Sequence, residues 1–245
     1  MKKTIKDYLD ASYLKTAAQA GISIEENDSL VNDLLEDALI EKYKLVMVLP
    51  DQVQKAKSFL ISHKSNVLVG TVIDFPFGNG GLELKLAEAK EAITNGADDL
   101  DFVIDYNAFK KGLLDQIQNE IKQCTALVLE HGKTIKWIIE TAALNDTQII
   151  KLTVFIKNTV LRYFKESEYQ QVFIKSSTGF YLTENNLPNG ATPHVITLML
   201  ENATPLPVKA SGGIRNYEDA LFYIQKGVKR LGTSSQKEIV TTEKS

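Results

Sequence analysis

The sequence predicts an α/β fold: a closed (β/α)8 barrel forming a single domain over residues 1–245. Three observations carry that expectation. Apolar runs rich in β-branched residues alternate with amphipathic stretches along the chain, with no low-complexity linker and no compositional break. Continuous apolar strands separated by helices imply a parallel sheet covered by helices. The alternation repeats eight times within 245 residues, and a barrel of this kind runs to roughly 250 residues. An open doubly wound sheet is the structural alternative. No GxGxxG follows the first strand, which weakens a dinucleotide-binding reading.

The first strand falls near "DYLDAS" (7–12), followed by a helix at about 25–42. "KLVMVLP" (44–50) is a buried strand stopped by Pro50, and 51–63 a helix. "NVLVGTVIDFP" (66–76) is the third strand, stopped by Pro76; Leu82, Leu86, Ala89 and Ile93 then recur at helical spacing up to Asn95-Gly96. "DDLDFVI" (98–104) is a strand, 112–131 a helix closed by Gly132, "TIKWIIE" (134–140) a strand and 146–165 a helix. "QVFIKS" (171–176) precedes a helix over 193–202 with Pro193 in its first turn. "LPVKAS" (206–211), a helix over 216–226, and "VKRLGTSS" (228–235) leading to a short helix complete the pattern.

Composition bounds the function. Hydrophobic residues make up 44% and charged residues 24%, which suits a globular chain with a sizeable core. A net charge of -3 gives no electrostatic reason to expect nucleic acid or an anionic membrane as partner. No apolar run approaches the ~20 residues of a membrane span, and "MKKTIKDYLD" lacks the apolar core of a signal peptide. Cys124 is the only cysteine, so no internal disulfide forms and a cytoplasmic setting is expected. Its helical context reads as a packed core thiol. His63, His131 and His194 are scattered, without metal-ligand spacing, so no metal centre is expected.

Barrels of this type carry their chemistry at the C-terminal ends of the strands. Asp10 ends the first strand, Asp74 the third, Glu140 the fifth, Lys175 the sixth and Lys209 the seventh; Asp101 lies inside the fourth. Lys175 and Lys209 come from neighbouring strands, so their ammonium groups can approach each other. A like charge and partial burial both disfavour protonation, so one lysine is expected to lose its proton more easily than usual. A neutral amine attacks carbonyls and forms a Schiff base, and Asp101 can compensate the remaining cation and relay protons. A structural Lys–Asp ion pair is the alternative on spacing alone.

Two glycine-bearing turns add a second feature. "KASGGIR" (209–215) places Gly212 and Gly213 after the seventh strand, and "LGTSSQ" (231–236) places Gly232, Ser234 and Ser235 after the eighth. Loops at these two positions, followed by a short helix, suit a phosphate dianion.

These segments resemble the deoxyribose-phosphate aldolase family of class I aldolases with a (β/α)8 fold. The matching stretches are "YLDASYLK" (8–15), "GTVIDFPFGN" (70–79), "NGADDLDFVIDYNAFKKG" (95–112), "IIETAAL" (138–144), "FIKSSTGF" (173–180), "VKASGGIR" (208–215) and "LGTSS" (231–235). The resemblance implies that Lys175 is the Schiff-base lysine, Lys209 the lysine that lowers its pKa, and Asp101 the proton-relay partner. It implies that Gly179, Gly212, Gly213, Ser234 and Ser235 bind the substrate phosphate, and that Asp10 and Thr178 line the pocket near the reacting carbon chain. The implied reaction is reversible cleavage of 2-deoxy-D-ribose 5-phosphate to D-glyceraldehyde 3-phosphate and acetaldehyde, without metal or organic cofactor, in a homodimer. A related aldolase acting on another phosphorylated aldehyde, or a non-catalytic sugar-phosphate-binding barrel, are the rival expectations. The chain departs from the family at Asp10-Ala11-Ser12, where a threonine is common after the aspartate. It has Met47 where a cysteine is common, and it ends "TTEKS" without a terminal tyrosine.

Other conspicuous residues have plainer readings. Trp137 is expected to pack in the core or against a helix. Asp74 is expected to order the turn before Pro76. Glu140 either buttresses Lys175 or pairs with Lys209.

Overall fold

The computed structural model describes residues 3–184 and 187–243. Eight parallel strands close on one another in sequence order: β1 (Leu9–Tyr13), β2 (Leu45–Val48), β3 (Leu68–Ile73), β4 (Asp99–Val103), β5 (Thr134–Ile138), β6 (Val172–Lys175), β7 (Val208–Ser211) and β8 (Arg230–Thr233). β8 pairs with β1, Asp10 lying opposite Gly232, so the sheet has no free edge. The open-sheet alternative is excluded.

Among the described residues, ten α-helices connect and cover the strands: α1 (Ala17–Ala20), α2 (Ile24–Glu41), α3 (Val53–Ser62), α4 (Gly81–Thr94), α5 (Tyr106–Lys110), α6 (Leu114–Glu130), α7 (Asp146–Tyr163), α8 (Pro193–Ala203), α9 (Tyr217–Lys226) and α10 (Gln236–Glu243). Local chemistry sets their starts. Ser23 and Glu26 form a reciprocal capping box on α2, Asn145 and Gln148 do the same on α7, and Thr192 caps α8 with Pro193 at its first position. The single-turn helices α1 and α5 fall outside the sequence expectation, because one turn carries no periodicity to read.

Side chains alternate along each strand, so one face of the sheet meets the helices and the other fills the barrel. The outer layer is apolar: Val46, Leu100, Phe102, Ile135, Trp137, Ile174 and Leu231 pack against helical residues such as Leu35, Ile121, Cys124, Leu152 and Met199. Trp137 is fully buried there, and its Nε1 donates to Thr125 Oγ1 of α6 at 3.1 Å. Burial pushes the neighbouring Cys124 thiol up to about 12, which leaves it without nucleophilic character.

The inside of the barrel is split. On the β2–β3 side Leu45, Met47 and Val72 form an apolar cluster with Leu14, bordered by Phe75 and Phe180, whose rings meet edge to face at 5.0 Å. From β4 round to β1 the inward positions include the charged residues Asp99, Asp101, Lys136, Lys175, Lys209, Arg230 and Asp10.

The loop between β3 and α4 is held by a buried cation. Lys85 Nζ donates to Gly78 O and Glu120 Oε2, both at 2.8 Å, and lies 3.2 Å from Asp74 Oδ2. Asp74, in a left-handed conformation, also accepts from Gly80 N, so it orders the turn. Phe75, which borders the apolar half of the barrel, follows directly.

Candidate active site

Four sequence expectations about strand ends are corrected, one of them at Asp74, which lies one residue past the end of β3 at Ile73. Asp10 does not end β1 and Lys209 does not end β7; each is the second residue of its strand. The strands continue through the small residues that follow. Ser12 and Tyr13 pair in register with Met47 and Val48 of β2, and Ser211 with Gly232 of β8, so backbone pairing carries both strands past the charged residue. Both charges therefore sit one layer inside the barrel. Lys175 does end β6. Glu140 lies two residues past β5, in a left-handed conformation (φ 53°).

Asp101 is the centre of the site. Its Oδ2 accepts from Lys175 Nζ and Lys209 Nζ, each at 2.8 Å, and its Oδ1 accepts from Lys136 Nζ at 2.8 Å. Burial alone would raise this carboxyl, yet the three lysines outweigh it and hold it well below the usual carboxylate range. Lys209 also lies 2.5 Å from Asp10 Oδ2, and Arg230 Nε donates to Asp10 Oδ1 at 2.6 Å. Lys136 and Arg230 meet again at Asp99 Oδ2, at 2.7 and 2.8 Å.

Lys209 is the amine whose proton is loosened. Burial lowers it to about 8; Asp10 and Asp101 oppose the shift, while the charges of Lys175 and Lys136 add to it. Lys136 behaves the other way. Burial pulls it down, but Asp101, Asp99 and Asp10 together hold it up at about 12.

Above this floor opens a cavity of about 690 Å³. Asp10, Lys175 and Lys209 form its base, Met47 and Phe180 one wall, and Thr178 and Gly179 another. Gly212, Gly213, Ser234 and Ser235 line the mouth with Lys15 and Arg215. The residues given a catalytic or substrate-binding role from the sequence therefore all border one cavity except Asp101, which lies directly beneath its two lysines; Asp74 and Glu140 do not line it.

Individual contacts refine several of these positions. Gly179 N donates to Ser177 Oγ and Ser235 N to Thr233 Oγ1, so neither N–H is free for a ligand. Gly212 (φ 90°) packs where a Cβ would meet Gly190 Cα at 2.8 Å, which fixes the approach of the two loops. At Gly232 a Cβ would lie 2.9 Å from Ser211 Cβ and 3.1 Å from Lys209 Cε. The missing side chain makes room for the lysine stem.

Glu140 takes neither of its expected partners as an ion pair. It accepts from Ser177 Oγ at 2.7 Å, from Thr178 N at 3.3 Å and from the Thr178 hydroxyl. Burial raises its carboxyl, against those hydrogen bonds and the field of Lys175. The three histidines are apart, as expected: His63 and His131 bond to carbonyls of their own helices, and His194 to Asp146.

With this geometry, comparison with known proteins is decisive. The deoxyribose-phosphate aldolase of Thermococcus gammatolerans is 36% identical over 237 residues, spanning 96% of this chain and 95% of the relative. The chain belongs to the deoxyribose-phosphate aldolase family. A solved structure described as QR15, an aldolase, superposes with a TM-score of 0.81 at 29% identity, covering 99% of this chain and 96% of that one. The deoxyribose-phosphate aldolase of Aeropyrum pernix, described as a unique tetramer, gives 0.77 at 26% identity, covering 98% and 91%. No protein-family model matches the chain.

Family membership makes the chain a carbon–carbon lyase of the class I aldolase type. The site holds three charged groups that sequence reading missed: Lys136, Asp99 and Arg230. Strand parity carried the signal. Lys136 is in phase with inward Ile138 rather than with Trp137, Asp99 is in phase with Asp101, and Arg230 with Gly232.

Proposed function

We propose that this chain reversibly cleaves 2-deoxy-D-ribose 5-phosphate to D-glyceraldehyde 3-phosphate and acetaldehyde, in deoxynucleoside and deoxyribose catabolism. Lys175 is the imine-forming amine. The observation that carries this assignment is its position at the cavity base, sharing one Asp101 oxygen with Lys209.

In the cleavage direction the neutral Lys175 amine adds to the open-chain aldehyde carbon, and loss of water gives the iminium. The hydroxyl on C3 gives up its proton to the Lys209–Asp101 relay. The C2–C3 bond breaks, its electron pair moves toward the iminium nitrogen, and glyceraldehyde 3-phosphate leaves. Protonation of the enamine at C2 and hydrolysis free acetaldehyde and return the amine.

Gly212, Gly213, Ser234 and Ser235 hold the phosphate at the cavity mouth. Their support is the start of α10 at Gln236, directly after the two serines. Arg215 lines the same rim. Asp10 and Thr178 border the carbon chain, and Gly232 acts by admitting Lys209. Residues 1–245 act as one barrel domain, in a cytoplasmic homodimer.

The test is incubation with acetaldehyde, borohydride reduction and peptide mass mapping. A stable adduct at Lys175 is expected. An adduct elsewhere, or none with active enzyme, overturns the assignment. A panel of phosphorylated and unphosphorylated aldehydes reads the substrate class.

A further inference from the structure

Beneath the cavity lies a charge cluster that substrate does not reach. Asp99, Lys136 and Arg230 are buried below Asp10, Asp101 and the two cavity lysines, and none of the three lines the cavity. Ion pairs connect the whole set. Lys136 spans Asp99, Asp101 and Asp10 at 2.7, 2.8 and 3.7 Å, and Arg230 spans Asp10 and Asp99 at 2.6 and 2.8 Å.

The ion-paired set holds three carboxylates, Asp10, Asp99 and Asp101, against four bases, Lys136, Lys175, Lys209 and Arg230. Fully ionised, it carries one positive charge too many for a buried volume. Arginine does not give up its proton in proteins. Lys136 touches all three aspartates, whereas Lys175 has only a share of Asp101. The surplus proton is therefore lost at the cavity base, where two amines share one Asp101 oxygen and burial loosens the proton of Lys209.

We propose that Lys136 and Asp99 are positioning residues whose opposite charges set the pH at which the Lys175/Lys209 pair gives up that proton. The proposal rests on the imine reading above and extends it to groups that never touch substrate.

The other groups facing the pair are few. Strand β1 brings Asp10, β4 Asp99 and Asp101, β5 Lys136 and β8 Arg230; β2 and β3 bring no titratable side chain. Beyond the strand ends stand Glu140, occupied by Ser177 and Thr178, and the rim groups Tyr13, Lys15, Tyr181 and Arg215. Asp99 and Lys136 are buried beneath the cavity, so mobile salt screens their field little. One unit charge removed next to the pair moves its midpoint by roughly one pH unit or more. Removing the Lys136 cation favours protonation of the pair, so the midpoint rises. Removing the Asp99 anion does the opposite.

The experiment records kcat/KM for deoxyribose 5-phosphate cleavage from pH 6 to 10 in the native chain, Lys136→Met, Asp99→Asn and the double variant. Trp137 fluorescence checks folding, and borohydride trapping of acetaldehyde checks the imine. The acid limb is expected to move up by roughly one unit in Lys136→Met and down by a similar amount in Asp99→Asn. In the double variant, which removes one charge of each sign, it returns to the native midpoint. Shifts of the same sign, no shift, or a double variant that fails to return overturn the proposal; a packing role predicts no such cancellation. If Lys136→Met does not fold, the downward shift in Asp99→Asn and the return in the double variant still decide. Absence of trapping in the native chain instead sinks the imine reading, so the two failures are distinct.

Discussion

Lys175 and Lys209 stand opposite each other across β6 and β7 and donate to the same Asp101 oxygen, each at 2.8 Å. Two amines on one acceptor form a single titrating unit. Whatever is done to one amine changes the proton affinity of the other.

Replacing Lys209 with leucine leaves Asp101 Oδ2 to Lys175 alone and removes a like charge. Both effects hold the Lys175 proton more firmly. The acid limb of the kcat/KM profile should move up by about two pH units, a loss of about a hundredfold at pH 7. Lys175→Leu should abolish cleavage and trapping at every pH. A Lys209→Leu profile that coincides with the native one would remove Lys209 from the mechanism.

Gly232→Ala tests the same amine through packing. The added methyl meets the Lys209 stem and Ser211 Cβ, the latter anchored to the backbone of β7. Overpacking of this kind costs about 1–3 kcal/mol of stability. The displaced ammonium should lower kcat by about tenfold or more, as expected for a misplaced reacting group. Urea unfolding and kcat measured side by side check this; a variant that loses stability yet keeps full kcat contradicts the role given to the gap.

Lys85→Met tests the buried pair behind the β3–α4 loop. It strands Glu120 and Asp74, and breaking a buried ion pair from one side typically costs about 3–5 kcal/mol. Adding Glu120→Leu removes one of the orphaned charges and should restore part of the loss. Trp137, the single tryptophan, reports both transitions in urea. A single variant within ~0.5 kcal/mol of native would mean that the loop is held by other contacts.

Stability should follow pH with two signatures. Asp10 and Asp101 titrate in the fold below their ordinary value of 3.8, so their contribution is complete above that value and is lost as pH falls beneath it. Lys209 titrates in the fold at about 8 instead of 10.5, so the unfolded chain binds the extra proton and stability rises with pH from about 8. Above 9 the Cys124 thiol, pushed up to about 12 by burial, opposes that rise. Urea midpoints measured from pH 3 to 10 should fall steeply at the acid end and climb gently between 8 and 9. A flat profile below pH 4 would show that the ionic floor adds nothing to the fold.

Much of this molecule was legible in its sequence, and the illegible part has a physical explanation. All eight strands and the long helices show as runs of apolar residues because their outward faces meet a continuous hydrophobic layer. Lys175 and Lys209 stand out because lysines are rare in such runs. The layer beneath them was harder to read. Lys136 hides beside Trp137 in "TIKWIIE", and its inward direction follows only from strand parity. Asp99 and Asp101 share one strand parity and Asp98 has the other, so it faces away and pairs with Lys57 and Lys133 at the rim of the helical layer. The depth of Asp10 and Lys209 depended on where β1 and β7 stop, and backbone pairing with β2 and β8, invisible to propensity, carried those strands further.

The contact between Asp10 and Arg230 spans 220 residues of chain. On a ribosome, the carboxylate is made 220 residues before its guanidinium. Until β8 emerges, the growing sheet has two open edges, and its inward aspartates lack their arginine. Such non-local pairing is slow, because a long loop must close before any contact repays it. The same closure that removes every edge from the finished sheet leaves the nascent chain exposed to strand-to-strand association until β8 is made. A holding chaperone would therefore matter most to this chain while seven of its eight strands are already in place.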